Sequence, residues 1–461
     1  MKRAFRFTVV LMILAMTGAA SAESLSLAVY NDGRALITEV REVQLDAGES
    51  RLEFMGVPET IEPESLQVKS LTSPEELNIL SMNYEYDLVS VKNLLDRYVG
   101  RDMTVILPDP KDAEARIARE AKLIANNDRP VFELDGDIYV GPYESLLLPE
   151  IPKGLRPRPT LVWLVENAGP QRQELQVSYL AGQISWRADY VLKLSRDETF
   201  ASLSGWVTLD NKSGMAFEGA DLKLVAGEVH RARRPKAMER TEMVLAAEAA
   251  PAVRQEEFFE YHLYEVARPV TVANRQTKQI SLLAAPKIGV GKELVSEYRG
   301  RLDGARSSFE QPVTAYLVFR NTGENGLGMP LPKGIVRAYQ ESSSGASLLI
   351  GEDNIDHTPD EGEVRLTMGK SFDVKVKRTL TKDEKVGKNV RRIAWEIEVR
   401  NSKDRPVELT LREHLPGDWQ ITASSHDFEK ASANLAAFTL TVPPIKKEGP
   451  TKVTYEAVIE Y

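Results

Sequence analysis

The chain has 461 residues, a net charge of −9 and no cysteine. Lack of cysteine excludes disulfides, thiol chemistry and a lipid anchor of the bacterial lipoprotein kind. An acidic chain with no basic block is a poor match for nucleic acid or anionic lipid, and its length allows roughly two to four domains.

Lys2, Arg3 and Arg6, the apolar run Phe7 to Met16, and Ala20-Ser21-Ala22 make the three parts of a secretory signal peptide. Residues 1–22 are read as that leader, with Glu23 starting the mature chain. No later window holds the about 18 consecutive apolar residues of a spanning helix. The expectation is a soluble exported protein, periplasmic or extracellular, with no transmembrane segment in its mature chain.

Residues 23–155 read as an N-terminal β domain. Within it, Ser90 caps a short helix over "VKNLLDRY", with Gly100 just past its end. "KDAEARIAREAKLI", from Lys111, has the composition of a second helix, although its later part also suits a strand. "FELDGDIYVG" is a hairpin turning at Asp135-Gly136. "LPEIPKGLRPRPT", Leu148 to Thr160, is proline-rich and extended, and marks a domain boundary.

A central β domain is expected over 156–345. "ISWRADYVLKL" is a strand in which Trp186 and Tyr190 share a face. An exposed Trp–Tyr pair can stack on the C–H faces of sugar rings, whereas core packing is the usual fate of such residues. Residues 230–257 lack strand alternation and read as a mobile insertion, and "GENGLGMPLPKG" is a loop.

Residues 346–461 close the chain. "IGEDNIDHTPDEGEV" gathers Glu352, Asp353, Asp356, His357, Asp360, Glu361 and Glu363. Carboxylates in an irregular loop can bind calcium, and His beside Asp suits acid–base work, but the EF-hand spacing is missing. Beyond Ser371, alternation is regular: Trp395, Ile397 and Val399; Val407, Leu409 and Leu411; Phe438, Leu440 and Val442; Val453, Tyr455, Ala457 and Ile459. One apolar and one polar face define half-buried antiparallel strands, and six or seven of them suit an immunoglobulin-like sandwich. The fold expected is mainly β, with multi-domain antiparallel β-sandwiches and few short helices.

Four strand exits share a form: "LVENAG" at Asn167, "TLDNKSG" at Asn211, "VFRNTG" at Asn321 and "EVRNSK" at Asn401. Asparagine bonds nearby backbone and tolerates the left-handed conformation. Their unequal spacing argues against a solenoid or propeller. Glu413-His414 looks catalytic, but strand neighbours point to opposite faces, so the pair reads as polar residues where a strand gives way to a turn.

The five histidines form no metal spacing, and no nucleophile elbow, phosphate loop or dinucleotide fingerprint occurs. No catalytic or metal residue is assigned. The candidate binding residues are Trp186, Asp189, Tyr190, Asp353, Asp356 and His357. No cofactor is implied, calcium at the 352–363 loop being the one cation considered.

"SWRADYVLKL" followed by "LSGWVTLDNKSGMAFEGADLKLVAGEV" resembles an exported bacterial family known as a domain of unknown function, serial number forty-one thirty-nine. "NYEYDLVSVKNLLDRYVG", "YHLYEVARPVTVANRQTKQISLL", "DHTPDEGEVRLTMGKSFDVKVKR" and "VRNSKDRPVELTLREHLPGDW" extend the resemblance over nearly the whole mature chain. The family is similar in part to mucoidy-inhibitor-like proteins, which carry a long coiled coil that this sequence lacks. The resemblance implies an exported β-rich protein and brings no activity or catalytic residues with it.

The expected function is therefore non-enzymatic binding or organisation of a cell-envelope protein or glycan. The alternative is an envelope glycan- or peptide-acting hydrolase, with Asp189 meeting Asp356 and His357 in a cleft. An outer-membrane barrel is the third reading, opposed by charged residues at most outward strand positions.

Overall fold

The computed structural model describes residues 24–109, 112–227, 253–258, 261–299 and 308–461. The stretch expected to be a signal peptide, residues 1–22, and most of the 230–257 insertion lie outside the described residues. The insertion's end, Val253–Phe258, is a strand antiparallel to Tyr261–Val266. The chain is mainly β and divides into two compact units.

The first unit holds residues up to Ser185, with Asp210–Lys223 and Arg268–Thr277. In one of its sheets, Ser24–Tyr30, Arg34–Gln44, Arg172–Gly182 and Ile61–Ser70 pair antiparallel in that order. A second sheet sets Thr160–Asn167 between Gly48–Met55 and Leu77–Glu85. Alternate residues of Arg34–Gln44 (Ala35, Ile37, Glu39 and Arg41) are buried, so the period-two pattern runs inward but ends in two charges.

Those charges are fully engaged. The Arg41 guanidinium donates to Glu39 Oε2 at 2.9 and 2.6 Å, and Tyr179 Oη donates to Glu39 Oε1 at 2.9 Å. Arg41 also donates to the Met55 carbonyl at 2.6 Å and lies over the Phe54 ring at 3.8 Å. Met55 and Phe54 belong to the second sheet, so the polar cluster ties the two sheets together.

A smaller sheet, ordered Ser145–Leu147, Asp102–Asp109, Asp112–Ala125, Val131–Leu134 and Asp137–Tyr139, has its own core around Leu95, Tyr98, Val105, Leu123 and Phe132. The Val91–Tyr98 helix covers it. Ser90 Oγ accepts the Asn93 amide at 3.0 Å, and Gly100 takes φ 84°, as the capping signals predict. The Asp135-Gly136 hairpin also forms, with both residues at positive φ. The helical expectation for the Lys111 stretch is corrected: Asp112–Ala125 is a strand. Pairing on both sides and burial of Ala121 and Leu123 outweigh a helix-favouring composition.

The second unit contains a five-stranded sheet ordered Gln276–Gly289, Phe200–Asn211, Ile184–Leu194, Gly334–Glu341 and Ser347–Ile355. It also contains a sandwich. One layer runs Glu363–Lys370, Thr314–Arg320, Gly291–Tyr298, Val407–His414, Leu435–Val442 and Glu429–Ser432. The other runs Ser308–Gln311, Val374–Lys385, Val390–Asn401, Thr451–Glu460 and Asp418–Ser424. Leu409, Leu411 and Phe438 of the first layer and Val376, Trp395, Ile397, Tyr455 and Ile459 of the second share one core. Strands from before residue 346 thus join the C-terminal sheets.

Among the described residues, Ile184–Leu194 with Gly334–Glu341 and Gly291–Tyr298 with Val407–His414 pair parallel. The two sheets that contain these pairs are therefore mixed, beside antiparallel ones. Alternation reports which face is buried and carries no information on strand direction.

Glu413 and His414 do point to opposite faces, but Glu413 is not a turn residue. It lies in the strand Val407–His414 and is wholly buried. The Arg378 guanidinium donates to both its oxygens, at 2.7 and 2.6 Å, and Tyr455 Oη donates at 2.9 Å. Arg378 and Tyr455 come from the opposite layer. His414 Nε2 lies 2.6 Å from Glu297 Oε1.

Glu413→Ala should destabilise the protein by about 3–5 kcal/mol, because the buried Arg378 charge loses its partner. The paired change Glu413→Leu with Arg378→Met should cost less than either change alone. Chemical denaturation followed by tryptophan fluorescence checks both; a Glu413→Ala protein of unchanged stability would contradict this account.

Candidate functional site

Trp186 and Tyr190 do share a face, but that face is the interior of the second unit. Trp186 Nε1 donates to the Val225 carbonyl at 3.2 Å, and its ring meets Tyr264 edge-on at 6.1 Å. Tyr190 Oη donates to the Pro332 carbonyl at 2.7 Å, and burial pushes its ionisation well up. Neither ring offers a face to a sugar, so the stacking expectation for this pair is corrected: their apolar area is worth more in the core.

Asp189 points the other way and is also buried. It accepts from Thr208 Oγ1 at 2.6 Å and pairs with Arg337 and Arg187, each at 3.4 Å. Arg337 also reaches Glu352 at 2.8 Å. The acidic stretch is less irregular than its composition suggests, because Glu352 and Asp353 sit in the strand Ser347–Ile355. Asp353 accepts the Thr367 and Asn354 amides at 2.6 and 2.9 Å. Asp356 is exposed, and His357 Nδ1 accepts the Lys333 amide at 3.2 Å. Asp189 thus takes its hydrogen bonds from different partners than Asp353 and His357. Among the described residues, no group of three or more His, Asp or Glu is placed to hold a metal ion.

Three concave surfaces of the first unit stand out among the described residues, two of them sharing Glu59. A cavity of about 650 Å³ is lined by Glu39, Arg41, Met55, Leu88 and Met215, with Glu59 at its edge. Its charged residues Glu39 and Arg41 are the locked pair that joins the two sheets. A second cavity of about 500 Å³ shares Glu59 and is lined by Thr60, Asp210, Lys212 and Arg275.

A third, a groove of about 530 Å³, is lined by Tyr84, Glu85, Tyr86, Asp87, Asn93 and Arg97. Tyr84 ends the strand Leu77–Glu85, and its hydroxyl donates to the Glu59 and Pro58 carbonyls at 3.2 and 3.4 Å. Tyr86 stacks on Tyr84, with ring centroids 5.3 Å apart and planes 29° apart, yet is 68% exposed.

The walls of this groove are braced from behind. Arg156 holds Glu53 with two hydrogen bonds at 3.0 and 2.9 Å and Glu85 with one at 2.6 Å. Its backbone pairs with Asp87 and Val89, each at 2.8 Å. Arg97 donates to Asp87 at 2.6 Å, and Asn93 Nδ2 donates to Asp87 and the Leu88 carbonyl at 3.3 and 2.8 Å. The sequence reading missed this site. Its signal was the Tyr-Glu-Tyr spacing, which puts both rings on one side of an extended chain. What sequence could not supply was Arg156, about seventy residues away in the chain.

These features define a β-sheet protein with a preformed aromatic groove. A family model described as a domain of unknown function (DUF4139) matches residues 175–454, and one described as an N-terminal domain of unknown function (DUF4140) matches 28–123. The chain belongs to the DUF4139 family. No curated protein matches it.

Burial, with the charge of Glu59 and the neighbouring Tyr86, pushes the Tyr84 hydroxyl up to about 12. Its neutral form is favoured in the folded state. That contribution to stability is complete below the ordinary tyrosine value near 10 and is lost as pH rises through about 12. Tyrosinate absorbance of the native protein minus that of Tyr84→Phe should show a component with its midpoint near 12. A midpoint near 10 would mean that this ring is not packed as described.

Proposed function

We propose that this chain is an exported, non-enzymatic binding protein of the cell envelope, with its ligand site in the groove around Tyr84 and Tyr86. The observation that carries the reading is a solvent-open tyrosine held rigidly against a second ring, beside acid, amide and guanidinium groups already fixed by ion pairs. Such a surface needs little ordering when a ligand arrives, which favours binding. The Glu39–Arg41–Tyr179 and Glu413–Arg378–Tyr455 clusters contain the residue types of catalysis, but their hydrogen bonds tie sheet to sheet. The three parts of the N-terminal leader support export, and among the described residues no helix is long and apolar enough to cross a membrane.

Two measurements test the proposal. Expressed with its own leader and a C-terminal tag, the chain should be recovered outside the cytoplasm with Glu23 as its first residue, as read by the mass of the intact protein. Retention in the cytoplasm with the leader intact would refute export. A photoreactive side chain in place of Tyr86 should crosslink an envelope component in living cells, while the same group in place of exposed Lys452 should not. Equal labelling from both positions, or from neither, would remove the groove as the site.

A further inference from the structure

We infer that the Tyr84–Tyr86 groove takes a neutral glycan built of pyranose rings; the inference rests on the binding reading above and names its ligand. A pyranose presents an apolar C–H face and a rim of hydroxyls. The first matches an aromatic platform, the second a border of planar hydrogen-bonding groups. The groove supplies both. Tyr86 gives an exposed ring whose tilt is set by Tyr84, and Tyr84 is itself pinned by its hydroxyl to the Pro58 and Glu59 carbonyls. At the edge of the platform, the exposed Arg97 uses one N–H on Asp87, which leaves it further donors. Asn93 donates its amide hydrogens to Asp87 and Leu88, which leaves its side-chain carbonyl as an acceptor.

Charge narrows the class further. Glu85 and Asp87 line the groove, and both are already paired, Glu85 with Arg51 and Arg156 and Asp87 with Arg97. A phosphate or polyanionic chain would find those guanidinium groups already paired with carboxylates, whereas a neutral hydroxylated ligand can use the donors and acceptors the pairs leave over. The volume of about 530 Å³ lies within the range of ligand sites. A proline-rich peptide would also stack on tyrosine, but proline lacks a backbone N–H, so such a peptide would make little use of the acceptors on the rim.

The test uses the whole mature chain and isothermal titration with three neutral tetrasaccharides: β-1,4-linked N-acetylglucosamine, β-1,4-linked glucose and α-linked mannose. A proline-rich decapeptide is the fourth probe. At least one sugar should bind. Tyr86→Ala should weaken it by about tenfold or more, the scale an aromatic contact supports, and Tyr86→Phe should keep most of the affinity. Tyr86 is largely exposed, so both variants should keep the native circular dichroism and melting profile. Binding by the peptide alone, no binding by any sugar, or sugar binding indifferent to Tyr86→Ala each overturns the glycan assignment. If the assignment falls while crosslinking through position 86 persists, the binding-protein reading survives it. If crosslinking is lost as well, both fall together.

Discussion

Each unit carries where its sheets meet the same chemical device, a buried carboxylate that receives arginine N–H groups and a tyrosine hydroxyl. In the first unit it is Glu39 with Arg41 and Tyr179; in the second it is Glu413 with Arg378 and Tyr455. Hydrophobic burial brings two sheets together without fixing how far one slides on the other. The buried arginines do fix it. In the second unit Arg378 of one layer holds Glu413 of the other. In the first, where Glu39, Arg41 and Tyr179 share a sheet, Arg41 reaches the Met55 carbonyl of the second sheet. A slip would leave buried polar groups without partners. In both clusters the tyrosine ionisation is pushed well up, chiefly by burial, so the hydroxyl remains a donor across the whole physiological range. A chain with no disulfide has particular use for such cross-sheet fastening.

The turns are fastened by a second repeated device. Asn167, Asn211 and Asn401 each accept the amide two residues on, at 2.9, 3.1 and 3.0 Å. Each then donates its own amide to carbonyls across the turn, as Asn401 does to Arg405 and Val442 at 2.9 and 3.0 Å. Asn321 does the same to Met329 and Pro359 at 2.8 and 2.9 Å. All four are buried and none adopts positive φ, so their value lies in side-chain bonding rather than in left-handed freedom. Asn211 heads a glycosylation triplet, yet its nitrogen is occupied by the Met215 and Ala273 carbonyls at 2.8 and 3.0 Å. In the folded chain that triplet is a structural motif.

What was legible in the sequence follows from what is local. Alternation identified the strands of the C-terminal sandwich, the Ser90 cap identified a helix, and Asp135-Gly136 identified a hairpin, because each signal lies within a few residues of its effect. Partner choice was not legible. Nothing in Val407–His414 announces a parallel neighbour from Gly291–Tyr298, and nothing near Glu413 announces Arg378. The same limit explains the candidate residues. Trp186 and Tyr190 were noticed for their chemistry, and their chemistry is the same in a core as on a surface. Exposure is a property of the packed sheets, which bury Trp186 and Tyr190 and leave Tyr86 open.

The proposed groove also lies in a different part of the chain. Tyr84, Tyr86, Asp87, Asn93 and Arg97 all fall within residues 28–123, the stretch matched by the N-terminal domain of unknown function. Trp186, Asp189, Tyr190, Asp353, Asp356 and His357 all fall within 175–454, the DUF4139 match, where the first three are absorbed into buried packing and hydrogen bonding. Burying Tyr86 would be favourable for folding, so leaving it open forgoes stability that the packing of Tyr84 alone does not replace. Around it, Arg156 gathers Glu53 and Glu85 from two strands and the backbone of Asp87 from a third segment. Those contacts are made by groups behind the platform, and their effect is to hold its rim still. A rim held still while its aromatic centre stays open is the arrangement expected of a surface that binds, and the binding site proposed here therefore lies in the N-terminal part of the chain.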